Sequence, residues 1–182
     1  MKKNITLVIG GCRSGKSSFA LNQANLIHAN STTRKPKIFL ATSVPSDSEM
    51  EKRVTKHQQE RGKDWQTIEE PVKIHEIINQ YSKKASVILV DCMTLWVSNL
   101  MFCSLDSTQI DNAVKNLKLS LKSCSCPVFL VSNEVGTGIV PENKIARQFR
   151  DLAGFVNQSM AKSADKVVMT IAGIDVQIKP KQ

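Results

Sequence analysis

Short runs of apolar residues recur along the chain, and a longer amphipathic or polar stretch separates each run from the next. Runs of this kind, without strict alternation, are typical of strands that are buried on both faces of a parallel sheet. The sequence therefore predicts five buried strands, at residues 5–10, 37–42, 86–91, 127–133 and 166–172. In residues 173–179 apolar and polar positions alternate instead, which predicts a short edge strand near the end of the chain.

The stretches between these runs place apolar residues at helical spacing. They predict six helices, at residues 16–29, 46–62, 72–82, 94–103, 108–123 and 141–163. Strands and helices that alternate in this way form a mostly parallel α/β sheet, with right-handed crossovers that place helices on both faces. With 182 residues, of which 41% are hydrophobic, the chain suits a single domain over residues 1–182.

One segment between the first predicted strand and the first predicted helix fits the pattern G-x-x-x-x-G-K-[ST]. Its residues, called the nucleotide loop below, are Gly10, Gly11, Cys12, Arg13, Ser14, Gly15, Lys16 and Ser17. In such a loop, backbone N–H groups face the phosphates, Lys16 reaches the β and γ phosphates, and the Ser17 hydroxyl can hold Mg²⁺. The sequence therefore predicts a fold of the P-loop NTPase type and the binding of a nucleoside triphosphate.

The composition bears on where the protein works. No apolar stretch of the sequence is long enough for a signal peptide or a membrane span, so we expect a soluble, cytoplasmic protein that does not insert into a membrane. The five cysteines, an odd number, argue against a disulfide framework.

The net charge of +9 suits either a nucleic-acid partner or a solvated basic surface around a site for an anionic nucleotide. The lysines and arginines are scattered, and aromatic residues, on which bases would stack, make up only 5% of the chain. The charge pattern therefore favours nucleotide binding without nucleic acid as a partner.

Residues that directly follow the predicted strands are candidates for the ligand site, because the carboxyl ends of parallel strands surround the ligand crevice. Asp91 ends the apolar run at residues 87–90, which is typical of a carboxylate that holds Mg²⁺ directly or through water. An Asp at such a position is also a frequent helix cap, but the nucleotide loop favours the magnesium role. Glu69 lies in residues 65–71, a segment that an ordinary strand end would also explain.

The predicted helix at residues 46–62 carries Arg53, His57 and Arg61 one turn apart on a shared face. The two guanidinium groups would favour the neutral, nucleophilic imidazole and attract the phosphates of a nucleotide. This arrangement suits covalent nucleotidyl transfer through His57. From the spacing alone, however, an exposed helix with one ordinary histidine is the simpler interpretation.

The segment at residues 133–141 carries two glycines between a predicted buried strand and a helix that we expect to begin at Pro141. Glycines at such a junction allow the backbone to approach a ligand closely. On the same predicted helix Arg147 and Asp151 are four residues apart, which favours an intrahelical ion pair.

Six segments carry a resemblance that extends over nearly the whole chain. They are GGCRSGKSSFA at residues 10–20, ATS at 41–43, EMEKRVTKHQQER at 49–61, WQTIEEP at 65–71, DCMTLWVSNL at 91–100 and SNEVGTGIVPENKIARQFRDLAGFVNQSMAKSAD at 132–165. The sequence thereby resembles the bifunctional adenosylcobinamide kinase and adenosylcobinamide-phosphate guanylyltransferase family of cobalamin biosynthesis. The nucleotide loop alone would indicate only an NTPase, whereas the Asn-Glu-Val-Gly segment and the His57 helix are far more specific.

The resemblance implies two reactions. GTP or ATP phosphorylates the aminopropanol hydroxyl of adenosylcobinamide, and GMP is then transferred from GTP to adenosylcobinamide phosphate with release of pyrophosphate. In the family the second reaction runs through a GMP-histidine intermediate. By position in the motif this histidine is His57, and Lys16 is the other catalytic residue that the resemblance implies.

The resemblance also implies a set of residues that contact GTP. They are the nucleotide loop from Gly10 to Ser17, Ala41, Thr42, Ser43, Gln58, Gln59, Glu60, Arg61, Glu69 and Asp91. Ser17, from the loop pattern, and Asp91, from its position after an apolar run, are the predicted Mg²⁺ ligands. A homo-oligomer, such as a trimer, is the implied assembly.

Two alternatives stay open at this point. The first is another P-loop kinase of small molecules, in which His57 takes no part and forms no covalent adduct. The second is a GTP-dependent switch or a nucleic-acid-binding ATPase, which only the fold and the basic charge favour. Against a GTP switch, the sequence has no Asn-Lys-x-Asp pattern for guanine recognition.

Overall fold

The computed structural model of the protein describes residues 4–32, 34–43, 62, 64–103 and 106–180. These residues form one sheet of seven strands together with five helices. The strands are β1 (Ile5–Gly10), β2 (Lys37–Ala41), β3 (Trp65–Glu69), β4 (Val87–Asp91), β5 (Val128–Asn133), β6 (Lys166–Ile171) and β7 (Ile174–Lys179). The helices are α1 (Lys16–Ala29), α2 (Ile74–Tyr81), α3 (Met93–Phe102), α4 (Ser107–Ser123) and α5 (Lys144–Ser163).

The strand order in the sheet is β3-β2-β4-β5-β1-β6-β7. Six strands are parallel to one another, and β7 pairs with β6 in the antiparallel direction. The predicted fold class is therefore confirmed: a mostly parallel α/β sheet with a short C-terminal edge strand. The opposite edge is β3, so the segment at residues 65–71 contains a sixth parallel strand beside the five that were predicted.

Helices cover both faces of the sheet. On one face α1 packs against a core that includes Val8, Leu89 and Val131. On the other face α2, α3, α4 and α5 cover a larger core that includes Leu7 and Val90. Because most strand residues are buried from both sides, the strands occur in the sequence as unbroken apolar runs. In the described part of the chain, no helix combines the length and the apolar character that a membrane crossing requires.

The edge strand β3 is anchored through its first residue, Trp65. The indole Nε1 donates to Asn25 Oδ1 of α1 at 3.2 Å, and the same oxygen accepts from Lys37 Nζ at 2.9 Å. The Trp65 ring also meets Phe39 edge to face, with ring centroids 6.3 Å apart. This cluster joins β2, β3 and α1, and it fixes the direction in which β3 leads to Glu69.

The helices predicted on described residues are present, and their ends shift by a few residues. Helix α1 has the predicted bounds, whereas α2 begins two residues later than expected, at Ile74. The delay has a local cause, because Glu70 Oε1 accepts from the N–H groups of Val72 and Lys73 and closes a turn before the helix. The helix predicted at residues 46–62 lies, except for Gly62, outside the described residues.

The prediction that the last helix begins at Pro141 was wrong. Helix α5 begins at Lys144, after the cap residue Asn143. The Asn143 Oδ1 atom accepts from the backbone N–H groups of Ile145 at 2.8 Å and Ala146 at 3.1 Å. Asn is among the preferred helix caps, and here it outweighs the preference of proline for the first helical position.

The predicted ion pair between Arg147 and Asp151 is also replaced by other contacts. The Arg147 guanidinium donates to the carbonyl oxygens of Pro141, at 3.0 Å, and Glu142, at 2.5 Å. Asp151 Oδ1 lies 3.6 Å from Arg150 Nε instead. Arg147 therefore ties the chain that leads into α5 back onto the first turns of the helix.

All five cysteines lie in the described residues, and none of them forms a disulfide. Cys124 and Cys126 are neighbours, but their Sγ atoms are 3.8 Å apart, well beyond a disulfide bond of about 2.05 Å. The structure thus agrees with the expectation that no disulfide framework supports the fold.

Candidate active site

The carboxyl ends of the parallel strands meet at one edge of the sheet, as the strand registers require. At this edge β1 passes into the nucleotide loop. Ala41, Glu69 and Asp91 are the last residues of β2, β3 and β4, and Asn133 is the last residue of β5. The structure therefore brings the predicted site residues of four separate strands to the same edge as the loop.

The nucleotide loop has a backbone that can surround a phosphate. Gly15, directly before α1, has φ of 94°, and Arg13 has φ of 55°. Both values lie in the left-handed region, which glycine adopts at little cost and which turns neighbouring N–H groups toward one side of the loop. Gly11, Cys12 and Arg13 are exposed on the rim. The start of α1 completes the loop with the N–H groups that a helix leaves unpaired.

Lys16 lies within the curve of this loop. Its side chain is largely buried, with 9% of the residue exposed, and Nζ donates to the carbonyl oxygen of Gly11 at 3.1 Å. No acidic residue occupies the first turn of α1. The ammonium group and the positive end of the helix therefore act together to favour an anion in the loop.

The nucleotide loop is braced by the hairpin between β6 and β7. Ser14 Oγ lies 2.8 Å from Thr170 Oγ1, and the Gly173 N–H donates to the carbonyl oxygen of Ser14 at 2.9 Å. Space is tight on this side, because a Cβ atom added to Gly10 would lie 2.6 Å from the backbone oxygen of Thr170. At Gly15 an added Cβ would lie 3.3 Å from Gly173 Cα. The loop therefore needs glycine at both positions. Gly10 is needed because there is no space for a side chain, and Gly15 is needed for its positive φ as well.

Glu69, Ala41 and Asp91 form one lateral row across the sheet. Ala41 pairs with Glu69 on one side and with Asp91 on the other, and Asp91 pairs with Val131, which pairs with Val8. Laterally paired residues point to the same face of a sheet. Because Val8, Ala41 and Val131 belong to the core beneath α1, both carboxylates emerge on the α1 side.

Asp91 and Ser17, the predicted magnesium ligands, belong to elements that pack against each other. Ser17 is the second residue of α1, which packs against β1 and β4, and Asp91 ends β4 on the same face of the sheet. A hydroxyl and a carboxylate are the oxygen ligands that Mg²⁺ takes beside nucleotide phosphates. The alternative role of Asp91 as a helix cap does not apply, because Cys92 caps α3.

Cys92 has a structural role, because its Sγ accepts from the Leu95 N–H at 3.5 Å at the start of α3, and its thiol is unreactive. Burial raises the pKa of the Cys92 thiol from 9.0 to about 11, and the charge of the neighbouring Asp91 acts in the same direction. The thiol therefore stays protonated at neutral pH, and the protonated form is a poor nucleophile. The exposed Cys12, in the nucleotide loop, has a very different environment.

Thr42 joins the ends of β2 and β4. Its hydroxyl oxygen accepts from the Cys92 N–H at 2.8 Å and donates to the Cys92 carbonyl at 2.7 Å. Its N–H donates to the carbonyl of Asp91, and its own carbonyl accepts from Asn99 Nδ2 at 2.7 Å. Thr42 therefore holds Asp91 in place, while the half-buried Ser43 beside it is open to a ligand.

Asn133, at the end of β5, is held by two helices and lies beside the nucleotide loop. Its N–H donates to Thr94 Oγ1 of α3 at 2.7 Å, and its carbonyl accepts from Asn157 Nδ2 of α5 at 3.1 Å. The next residue, Glu134, donates its N–H to the carbonyl of Gly10 at 3.0 Å. The loop after β5 therefore starts in direct contact with the first residue of the nucleotide loop.

The rest of the predicted site lies outside the described residues. This part comprises the predicted nucleophile His57 and the residues Arg53, Gln58, Gln59, Glu60 and Arg61. Their roles stay predictions.

Several residues that shape the described site were missed from the sequence. Asn99, Asn157 and Thr170 each make long-range hydrogen bonds to loop backbone or loop side chains. Only Thr170 could have been recognised from the sequence as a site residue, since it lies near the carboxyl end of a predicted strand, where ligand sites form. Asn99 and Asn157 lie within helices, where a single polar residue usually faces solvent.

A family model described as cobinamide kinase / cobinamide phosphate guanyltransferase matches residues 6–178. The chain belongs to this family. The matched range contains the nucleotide loop, the row of strand ends and the segment with His57. The resemblance inferred from the six sequence segments is therefore confirmed.

Curated relatives agree with this family. The chain is 33% identical over 173 residues to a bifunctional adenosylcobalamin biosynthesis protein of Pseudomonas aeruginosa, an alignment that covers 95% of this chain and 96% of the relative. A protein of the same description from Escherichia coli is 37% identical over 185 residues, with 95% and 98% covered. The corresponding Salmonella typhimurium protein is 38% identical over 185 residues, again with 95% and 98% covered.

Among solved structures, a KaiC-like protein of the hyperthermophilic archaeon Pyrococcus horikoshii is similar to this member of the cobinamide kinase family. The TM-score is 0.52, and the superposition covers 92% of this chain and 71% of that chain. With 14% sequence identity, the likeness concerns the fold alone. It agrees with the predicted P-loop NTPase type of α/β sheet.

Proposed function

We propose that the protein carries out both reactions that give its family its name. It first transfers the terminal phosphoryl group of GTP or ATP to the hydroxyl of adenosylcobinamide. It then transfers GMP from GTP to adenosylcobinamide phosphate, which yields adenosylcobinamide-GDP and pyrophosphate. The observation that carries the proposal is the family match over residues 6–178, which includes the nucleotide loop and His57 together.

For phosphoryl transfer, the described residues supply position and positive charge. The N–H groups of the nucleotide loop and of the start of α1 bind the phosphates, and the Lys16 ammonium, now 3.1 Å from the Gly11 carbonyl, offsets charge on the transferred group. The transition state of this reaction is loose, so catalysis rests mainly on orientation and electrostatics. We therefore assign no separate base for the acceptor hydroxyl.

Magnesium is part of the proposal. Ser17 and Asp91 would hold Mg²⁺, with Thr42 fixing the strand end that carries Asp91. When bound, the ion would offset the negative charge of the phosphates. We also assign Glu69 a contact with the nucleotide, and its exposed position in the same lateral row as Asp91 supports this assignment.

For nucleotidyl transfer we assign the nucleophile to His57. A neutral imidazole nitrogen attacks the α-phosphorus of GTP, a P–N bond forms, and the bond to the bridging oxygen breaks as pyrophosphate takes the electron pair. A phosphate oxygen of adenosylcobinamide phosphate then attacks the same phosphorus. The P–N bond breaks, the imidazole recovers its electron pair, and the product carries GMP joined to its phosphate.

Labelled GTP tests the guanylyltransferase assignment. The protein is incubated with Mg²⁺ and GTP that carries ³²P at the α-phosphorus, then denatured, digested and analysed by mass spectrometry. We expect a GMP adduct on His57 that survives base and is lost in acid, as a phosphoramidate should be. GTP labelled at the γ-phosphorus should leave no label on the protein.

Two variants separate the reactions. His57→Ala should abolish the adduct and the second reaction but leave phosphorylation of adenosylcobinamide in place, whereas the matched control His75→Ala, on α2, should retain both. A protein that phosphorylates adenosylcobinamide without ever forming the adduct would be a small-molecule kinase in which His57 takes no part. Loss of both reactions in His57→Ala would show that the His57 segment also serves the kinase.

We further propose a homo-oligomer, such as a trimer, that works in the cytoplasm. Support for assembly comes from the edge hairpin, where Ile171, Ile174 and Val176 are 55%, 68% and 49% exposed. Such a patch at a sheet edge is typical of a surface that pairs with another chain. Sedimentation velocity of the purified protein measures the number of subunits directly.

A further inference from the structure

The loop between β5 and α5, residues 134–143, exposes large apolar side chains at the edge that carries the nucleotide loop. Ile139 is 96% exposed, more than any other large apolar residue in the described part of the chain, and Val140 is 57% exposed. Ile145, in the first turn of α5, is 56% exposed. Residues 135–141 carry no charge, although 23% of the chain is charged. Exposed apolar side chains that lie this close along the chain are typical of a surface that binds a ligand or partner.

Hydrogen bonds hold this loop open at both of its ends. Near its start, Glu134 Oε1 accepts from the Gly136 N–H at 2.7 Å. Near its end, the Arg147 guanidinium binds the carbonyl oxygens of Pro141 and the residue after it, and Asn143 caps α5. Because its ends are fixed in this way, the loop presents its apolar tip to solvent without collapsing onto the core. Such pre-organisation lowers the entropy lost when a ligand binds.

The loop is continuous with the nucleotide site. Asn133 pairs with Gly10 across β5 and β1, and the Glu134 N–H donates to the Gly10 carbonyl at 3.0 Å. Any acceptor of the terminal phosphate must bring its hydroxyl to the nucleotide loop. The loop after β5 is one of the segments that border this position, and it offers an apolar surface to the part of a large acceptor that extends from the hydroxyl.

We propose that Ile139, Val140 and Ile145 form the binding surface for the corrin ring of the acceptor. The inference rests on the proposed function, which makes the acceptor a cobinamide. A cobinamide has a broad ring edged with methyl groups and uncharged amides, and its hydroxyl lies at the end of a flexible arm. An uncharged apolar surface beside the phosphate site matches that ring, while the arm reaches into the nucleotide loop. A second copy of the chain is the competing occupant.

The test measures binding without requiring turnover. Equilibrium dialysis with dicyanocobinamide, read by its visible absorbance, compares the parent protein with the double variant Ile139→Ser/Val140→Ser. The control is Leu119→Ser on α4, where Leu119 is 56% exposed, close to the 57% of Val140, but lies on another element. We expect the double variant to raise the dissociation constant for cobinamide by about tenfold or more, through loss of apolar contact. The double variant should bind a fluorescent GTP analogue as tightly as the parent protein does. The control variant should bind cobinamide as tightly as the parent protein does.

The other outcomes are also informative. An unchanged cobinamide affinity in the double variant overturns the inference, and if sedimentation then shows fewer subunits, the loop contacts a second copy instead. A different result would show that the proposed function is wrong. In that case the parent protein binds cobinamide through this loop but transfers no phosphoryl group to adenosylcobinamide. If the parent protein phosphorylates adenosylcobinamide and the double variant binds cobinamide as tightly as the parent does, only the role of the loop is wrong and the proposed function stands.

Discussion

At the residue scale, the cysteines divide into two groups. Cys12 and Cys103 are exposed, whereas Cys92, Cys124 and Cys126 are buried. Cys12 belongs to the nucleotide loop, where the backbone rather than the side chain meets the phosphates. A bulky group attached to this sulfur would fill the mouth of the loop. Alkylation of Cys12 and nucleotide binding should therefore exclude each other.

We expect N-ethylmaleimide to modify Cys12 and Cys103 in the folded protein and to leave the three buried thiols intact. GTP at ten times its dissociation constant should slow the modification of Cys12 about tenfold, because only the nucleotide-free fraction reacts. Cys103, far along the chain on the end of α3, serves as the internal reference and should keep its rate. Peptide mass spectrometry over time measures both rates, and equal rates for Cys12 with and without GTP would contradict the proposed phosphate site.

The residues of the nucleotide loop could be predicted because they are consecutive and their spacing alone carries the chemistry. The residues that brace the loop could not, since Ser14 and Thr170 are 156 positions apart and meet only after the sheet has formed. For Thr42 only part of the role could be predicted. Its position at the end of a strand was predicted, but its hydrogen bonds with Cys92 depend on a neighbouring strand. The role of His57 came from the family resemblance, not from spacing, and it stays a prediction.

At the scale of elements, the junction between α5 and β7 shows how one side chain joins two of them. Lys179, the last residue of β7, donates from Nζ to the carbonyl oxygens of Ala161 at 3.0 Å, Lys162 at 3.3 Å and Ala164 at 2.6 Å. These carbonyls lie at the C-terminal end of α5, where helix carbonyls have no partner within the helix. The ammonium group also complements the negative end of the helix dipole.

Lys179→Met should therefore destabilise the protein by about 1–2 kcal/mol, because three carbonyl groups lose a charged donor while the apolar stem is kept. Urea unfolding followed by circular dichroism measures the change in the free energy of unfolding. Lys118→Met, at an exposed position of α4, is the control and should change it by less than about 0.5 kcal/mol. Equal effects of the two substitutions would show that the lysine of β7 does not cap the helix.

Most helices and strands could be predicted from the pattern of apolar residues, because strands that are buried on both faces occur as unbroken apolar runs. The residues at which the helices begin and end were predicted less well. The start of α5 moved from Pro141 to Lys144, since the side chains of Asn143 and Arg147 satisfy the backbone groups there. Such competition between side-chain and helical hydrogen bonds does not follow from composition alone.

At the scale of the whole molecule, the two ends of the described chain build the nucleotide site together. The nucleotide loop belongs to the first strand and helix, yet the hairpin of β6 and β7 supplies the Gly173 N–H that binds the Ser14 carbonyl. The order of strands makes this contact possible, because β6 is the immediate neighbour of β1.

A chain that ends at Ala172 should bind a fluorescent GTP analogue about tenfold more weakly, since the loss of one hydrogen bond of roughly 1.4 kcal/mol has that effect. A chain that ends at Pro180 retains the whole hairpin and is the matched control. Circular dichroism establishes whether the shortened protein keeps its helices. If it keeps them and binds the analogue as tightly as the control, the hairpin does not brace the nucleotide loop.

The central position of β1 has a consequence for protein synthesis. Ile5 pairs with Val128 of β5, and Thr6 pairs with Lys166 of β6, so both neighbours of the first strand are made late. At about 5–20 residues per second, a ribosome needs roughly 6 to 25 s to proceed from the first of these strands to β5. During those seconds the apolar strand has no neighbour to pair with. The growing chain thus exposes its first strand to chaperones before its own nucleotide site is complete.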